Sequence, residues 1–145
     1  GQTGLRFAEA LQGAGTNLVI VTHSAGFKKP NELEISEKTK KQITGLGAKV
    51  YTGTVLAHSL ATALANESCP TMVVIQTLRR FCQGVKVAVE IVMEACDAGL
   101  LPEGEEVVAV GGTGKGADTV CLIKSAASKR FMELKVLEIL AKPRE

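Results

Sequence analysis

Apolar and polar residues follow one another along the chain with the periods typical of an α/β protein. From Asn17 to Thr22 the sequence is a continuous apolar run, as in a strand buried on both faces. A helix follows, with Ser36 as its predicted N-cap, an end near Leu46 and Gly47 just beyond. Residues 48–52 then form a second strand. The pattern predicts a strand–helix–strand unit with a right-handed crossover.

Four further helices and a final strand are predicted from periodicity. Apolar residues recur at helical spacing over residues 5–11, 56–64, 71–82 and 85–98. The segment 85–98 is apolar around much of its circumference, so it should be deeply packed. Residues 134–140 alternate and predict the last strand.

A glycine-dense turn lies between two runs rich in β-branched residues, 107–110 and 119–123. Four glycines between residues 111 and 116 leave backbone amides uncovered, and such amides can converge on a phosphate. Two strands joined by so short a connection form an antiparallel hairpin, since parallel neighbours need a long crossover. A glycine-rich turn that binds no ligand is the alternative.

The turn does not match the common nucleotide-binding motifs. Two of its glycines are spaced as in the phosphate loop of nucleoside triphosphatases, but Ala117 and Asp118 replace the Lys and Ser/Thr. The looser dinucleotide-binding pattern is also satisfied, yet that pattern must open a helix, whereas a strand follows here.

Composition narrows the function classes. The chain has 145 residues, 46% of them hydrophobic, which suits one globular domain over residues 1–145. The net charge is +2, aromatic residues are 3% and Trp is absent, so neither nucleic acid nor a membrane is expected as a partner.

The cysteines are scattered singly along the sequence, which predicts no metal site. We expect Cys82, Cys96 and Cys121 to be reduced core residues and the protein to be cytoplasmic.

Candidate ligand contacts follow from the predicted topology. Ligands of open α/β sheets lie at the carboxyl ends of parallel strands. Three loops could meet there: Gln2-Thr3-Gly4, Thr22 to Phe27, and Thr52-Gly53-Thr54. Together with the turn at 111–119 they would offer an anion backbone amides and hydroxyl groups.

Few residues offer acid–base chemistry. His23 follows the first strand and is either a proton carrier or a polar surface group. Asp118 either contacts a ligand or caps its own turn. Lys86 and Glu90, one helical turn apart, form either a weak surface pair or the wall of a polar cleft.

Four segments together resemble one protein family: Thr-His-Ser-Ala-Gly-Phe at 22–27, Gln-Gly-Val-Lys-Val-Ala-Val-Glu at 83–90, Asp-Ala-Gly-Leu at 97–100, and residues 110–119. They are similar to the pyruvate kinase α/β-domain-like proteins, which resemble the carboxyl-terminal domain of pyruvate kinase without the catalytic barrel. The resemblance covers the whole chain. Family members begin about one strand and one helix earlier, so this sequence is short at its start.

The resemblance implies a three-layer α/β/α sandwich, mostly parallel, with an antiparallel edge hairpin. It also implies that a Ser/Thr-Gly loop, here Thr3 and Gly4, holds the phosphates of a bound ligand while Gly112 to Thr119 closes over it. A flavin mononucleotide-like ligand is expected in a cleft lined by His23, Gly26 and Phe27.

We therefore predict a module that binds a phosphorylated small molecule, such as flavin mononucleotide (FMN) or a sugar phosphate, in a regulatory or non-catalytic role and in a possible homo-oligomer. The alternatives are a flavin- or phosphate-dependent enzyme that uses His23 or Lys86, and a structural protein whose glycine loop only turns. Pyruvate kinase catalysis is not expected, because the barrel needs far more chain. The candidate binding residues are Thr3, Gly4, Thr22, His23, Ser24, Gly26, Phe27, Thr54, Gln83, Lys86, Gly112, Thr113, Gly114, Gly116, Ala117, Asp118 and Thr119.

Overall fold

The computed structural model describes residues 1–53 and 70–144. The chain divides into two compact units, Gly1–Thr54 and Val55–Glu145. The predicted helix over 56–64 and the candidate Thr54 lie outside the described residues. Helices and two small sheets, one parallel and one antiparallel, make the protein mixed α/β.

The first unit contains the predicted strand–helix–strand arrangement. Its elements are α1 (Gln2–Ala10), β1 (Val19–His23), α2 (Glu37–Gly45) and β2 (Lys49–Gly53). The strands β1 and β2 pair in parallel, and His23 lies opposite Gly53 at their carboxyl ends. The prediction of two parallel strands joined through a helix is confirmed.

Local signals define the two ends of α2, as the sequence predicts. The Ser36 side chain caps the helix, because its Oγ accepts a hydrogen bond from the Thr39 amide at 3.1 Å. Beyond the other end, the Gly47 amide donates to the Thr44 carbonyl at 3.0 Å. Both ends of α2 thus carry hydrogen bonds from residues within or next to the helix.

The start of the chain differs from the prediction. The expected Gln2-Thr3-Gly4 loop is helical, and α1 already begins at Gln2 with Gly1 as its N-cap. Close packing explains this position of Gly4, since a Cβ there would lie 2.6 Å from Cγ2 of Ile20 in β1. Thr3 and Gly4 thus lie in the first helical turn, and Gly4 lets α1 approach the strand.

The described part of the second unit, residues 70–144, contains two helices, a short 3₁₀ helix and a three-stranded antiparallel sheet. These are α3 (Pro70–Arg79), α4 (Gln83–Asp97), β3 (Glu106–Gly111), β4 (Thr119–Lys124), the 3₁₀ helix (Ser128–Glu133) and β5 (Lys135–Ala141). The strand order is β3-β4-β5, with both pairs antiparallel. The helices predicted over 71–82 and 85–98, the hairpin and the final strand are present.

The core of the second unit lies between α4 and the sheet. Val85 and Val89 of α4 and Ile123 of β4 are almost completely buried there. Cys82, Cys96 and Cys121 are free thiols in the same cluster, which confirms their prediction as core residues. None of the helices in the described ranges is long and apolar enough to cross a bilayer.

Candidate functional site

The glycine-rich segment forms the turn of the β3–β4 hairpin, as predicted. Gly111 and Thr119 make the last pair of the ladder. Gly114 (φ +78°) and Gly116 (φ +77°) have left-handed backbone conformations, which residues with a Cβ rarely adopt. Residues 113–117 are exposed, so the turn presents its backbone to solvent.

Asp118 holds the turn together from within. Its Oδ2 accepts a hydrogen bond from the Thr113 amide at 2.9 Å, and its Oδ1 accepts one from the Thr119 hydroxyl at 2.7 Å. The Thr119 hydroxyl and, to a smaller extent, Thr113 lower the pKa of Asp118, so the carboxylate is ionised at neutral pH. The interpretation that Asp118 caps its own turn is confirmed, and a ligand contact stays a prediction.

Several amides of the turn are left without an internal acceptor. No hydrogen bond to a described residue is donated by the amides of Gly112, Gly114, Gly116 and Ala117. The turn is tightly folded, because a Cβ on Gly112 would lie 2.5 Å from the Gly116 carbonyl oxygen. Lys115 extends from the same turn and pairs with no carboxylate among the described residues. Uncovered amides and one cation are the groups that an anion requires.

The base of the turn is packed against the start of α4. Thr119 is fully buried, and its hydroxyl lies 3.4 Å from Sγ of Cys82, so it is not part of an exposed binding surface. A Cβ on Gly84 would lie 1.9 Å from the same hydroxyl oxygen. The neighbouring candidate Gln83 accepts a hydrogen bond from Nε of Arg79 at 2.8 Å. The structure thus brings the first turn of α4, at Gly84, against the base of the glycine turn within the second unit.

A stripe of charged residues runs along α4 and is buried. Lys86 is 5% exposed and Glu90 7% exposed, and their side chains form an ion pair. The interpretation of this pair as a weak surface contact is therefore wrong, because tertiary packing covers this part of the helix. Oε1 of Glu90 is buried and has no hydrogen-bond partner among the described residues. Such an oxygen is costly to leave unpaired.

Glu94 continues the stripe one turn further and is missing from the sequence-based candidates. Burial, and then the negative charge of Glu90, raises its pKa to about 7, with Lys86 acting in the opposite direction. Its spacing of four residues from Glu90 is a signal that could have identified it.

In the first unit, several of the predicted binding residues lie at the carboxyl end of β1 and in the loop that follows it. Thr22 and Thr52 lie opposite each other on the two parallel strands, and their hydroxyl oxygens are 3.0 Å apart. Ser24 is half-buried, while Gly26 and Phe27 are exposed in the loop. Ligands of parallel sheets bind at this edge.

His23, the last residue of β1, has partners that sequence patterns did not indicate. Its Nδ1 pairs with Oε2 of Glu34, whose other carboxylate oxygen pairs with Lys28. The imidazole also stacks on the Phe27 ring, with centroids 3.9 Å apart and planes inclined by 17°. Glu34 lies eleven residues beyond His23 in an irregular loop, a separation for which no local spacing rule exists.

The predicted residues are thus divided between the two units. Thr3, Gly4 and the loop after β1 belong to the first unit, and the glycine turn with Gln83 and Lys86 belongs to the second. The predicted enclosure of one anion by residues 2–4 and 111–119 stays a prediction.

No cluster of three or more His, Cys, Asp or Glu suitable for a metal ion occurs in the described ranges. No protein-family model matches the chain.

Proposed function

We propose that the protein binds a phosphorylated small molecule through the β3–β4 turn, with FMN or a sugar phosphate as the ligand class. The observation that carries the proposal is the set of amides in this turn that donate to no described residue, beside the ammonium of Lys115, which pairs with no carboxylate in the described ranges. A phosphate offers several acceptor oxygens and a negative charge to such a set.

The attachment of the turn to α4 supports the proposal. Asp118 and Thr119 hold the base of the turn through hydrogen bonds, and Gly84 permits the close contact with the helix. A binding loop whose base is held in this way loses little conformational entropy when a ligand binds.

We also propose that the whole chain adopts a three-layer α/β/α sandwich of the pyruvate kinase carboxyl-terminal type. The parallel β1–β2 pair and the antiparallel hairpin both occur in that arrangement. We propose a regulatory role as well, because the resemblance to the carboxyl-terminal domain of pyruvate kinase implies one.

Titration of the purified protein with FMN, riboflavin, fructose bisphosphate and inorganic phosphate tests the binding proposal. We expect FMN to bind more tightly than riboflavin, since only FMN carries the phosphate that the amides would hold. The measurement is flavin fluorescence for the first pair and a thermal shift for the second.

A pair of glycine variants locates the site. Gly114 and Gly104 both have positive φ (+78° and +84°) and open space around the position of a Cβ, so Gly114→Val and Gly104→Val carry a similar backbone strain. Only Gly114→Val is expected to weaken FMN binding, by about tenfold, equivalent to the loss of one strong hydrogen bond of ~1.4 kcal/mol. Equal effects of the two variants, or no discrimination between FMN and riboflavin, would contradict the proposal.

A further inference from the structure

His23 and Glu34 form a side-chain arrangement that is used for proton transfer in many enzymes. The ring is at the carboxyl end of β1, its side chain is 49% exposed, and Nδ1 faces the Glu34 carboxylate. Nε2 bonds to no described residue. One ring nitrogen is therefore held by the protein while the other is open to a bound molecule.

The charge state of Glu34 determines which nitrogen carries the proton. Hydrogen bonds from Lys28 and then from His23 lower the pKa of Glu34, so it is ionised at neutral pH. An ionised carboxylate only accepts hydrogen bonds, so Nδ1 must be the protonated nitrogen of the neutral ring. The lone pair is then on Nε2, the exposed nitrogen.

Two further contacts restrict the orientation of the ring. Phe27 stacks against one of its faces, and Lys28 holds the second oxygen of Glu34. The carboxylate that faces Nδ1 is thus itself held in place, and rotation of the imidazole would break both its hydrogen bond to Glu34 and the stacking contact. Pre-orientation of this kind is what a general base requires.

We propose that His23 and Glu34 form a proton-transfer dyad for a hydroxyl-bearing small molecule bound at the carboxyl edge of the β1–β2 pair. Nε2 of His23 accepts the hydroxyl proton as the O–H bond breaks, giving an imidazolium ion and an oxyanion. The Glu34 carboxylate stabilises the imidazolium through Nδ1–H. Reversal of the step returns the proton. Glu34 is a positioning residue, and the dyad does not depend on the phosphate-binding proposal because it lies wholly in the first unit.

Nitrogen NMR of protein labelled at histidine tests the dyad directly. The chain has two histidines, so His58→Gln assigns both rings. In the wild type, at a pH where the ring is neutral, we expect His23 to be protonated on Nδ1 and unprotonated on Nε2. In Glu34→Ala the proton should move towards Nε2, since its acceptor at Nδ1 is gone. A wild-type ring protonated on Nε2 would overturn the proposal.

Glu32→Ala is the matched control. Glu32 lies in the same loop, but its partner is Lys29, at 3.7 Å, rather than His23. This variant should leave the tautomer of His23 unchanged. An equal change in Glu32→Ala and Glu34→Ala would show a general loosening of the loop and would contradict a specific role of Glu34.

Acylation measures whether the open nitrogen is available to react. Diethyl pyrocarbonate forms a bond between its carbonyl carbon and Nε2, while the Nδ1 proton leaves with ethyl carbonate, which breaks down to ethanol and carbon dioxide. We expect mass spectrometry to show His23 modified several-fold faster in the wild type and in Glu32→Ala than in Glu34→Ala. Equal rates in all three proteins would show that Glu34 does not activate the ring.

Discussion

At the scale of single residues, Glu94 shows how packing changes the chemistry of a carboxyl group. Only 4% of the residue is exposed, and the charges that act on it come from Glu90, Lys86 and Asp97 of its own helix. One lysine therefore faces three acidic groups along α4. Burial first, and then the negative charge of Glu90, favours the protonated carboxyl group and raises the pKa of Glu94 to about 7.

The stability of the protein should depend on pH through Glu94. In the unfolded chain this group ionises near 4.5, whereas in the folded chain it retains its proton up to about 7. The folded state therefore binds more protons between these values, and the free energy of unfolding falls as the pH rises through this window. The full shift corresponds to about 3 kcal/mol.

Glu94→Gln tests this dependence by urea unfolding over a pH series. Glutamine cannot ionise, so we expect the variant to lose this part of the slope and to be more stable than the wild type above pH 7. Glu106→Gln, an exposed position in β3, controls for the change in net charge. If both variants follow the wild-type curve, the proton on Glu94 does not contribute to stability.

At the scale of secondary structure, the contact between α4 and the hairpin is the closest approach around the candidate site. Gly84, in the first turn of α4, lies directly against the buried Thr119, and Gly111 of β3 lies against the carbonyl of Gly84. The helix and the two strands can approach this closely only because both positions lack a side chain. The geometry of the turn is thereby tied to the position of the helix.

Gly84→Ala should disturb this contact. The new Cβ would lie 1.9 Å from Oγ1 and 2.4 Å from Cβ of Thr119, a residue that is fully buried and cannot move aside. We expect a loss of about 2–3 kcal/mol in the free energy of unfolding. Urea unfolding followed by circular dichroism provides the measurement.

Gly45→Ala is the control for a glycine-to-alanine change in a helix. No atom lies within 4 Å of the position of its Cβ at the end of α2. This variant should be neutral or stabilising by about 0.5 kcal/mol, since alanine is the better helix former. If Gly84→Ala is as mild as Gly45→Ala, the contact with Thr119 is not as close as described.

At the scale of the whole molecule, the described residues of each unit form a hydrophobic core of their own. The first unit buries Ala8, Ile35 and Ile43 between its helices and its parallel strands. The second unit buries a larger cluster between α4 and the antiparallel sheet. Each core is built almost entirely from residues of its own unit, so each unit should have its own local stability.

Truncation of one core residue in each unit tests this. Ile43 and Ile123 both have 0% exposure, and replacement by alanine should cost about 2–5 kcal/mol in either unit. We expect Ile43→Ala to accelerate amide hydrogen exchange mainly in residues 1–53, and Ile123→Ala mainly in residues 106–141. Val108→Ala, at a position 63% exposed, is the control and should change little.

Uniform acceleration of exchange along the whole chain in both core variants would contradict separate cores. It would show instead that the two units unfold together as one cooperative structure.

The elements that the sequence predicted correctly depend on neighbours along the chain. The Ser36 cap bonds an amide three residues away, and the hairpin follows from two β-branched runs around a glycine turn. Such signals are local, so they act the same in any surroundings. The capping of its own turn by Asp118 is a local contact of the same kind, with the Thr113 amide five residues away, so the sequence could offer it as one of two interpretations.

Only the tertiary structure decided the features that depend on residues far apart in the sequence. Periodicity placed Lys86 and Glu90 on one helix face, but whether that face is covered depends on the packing around α4, which buries both side chains. The partnership of His23 with Glu34 depends on the path of an irregular loop. The close approach of α1 to β1 at Gly4 likewise depends on the position of Ile20 in the strand. Local sequence patterns encode elements and their ends, whereas burial, charge pairing and close approach are properties of the folded chain.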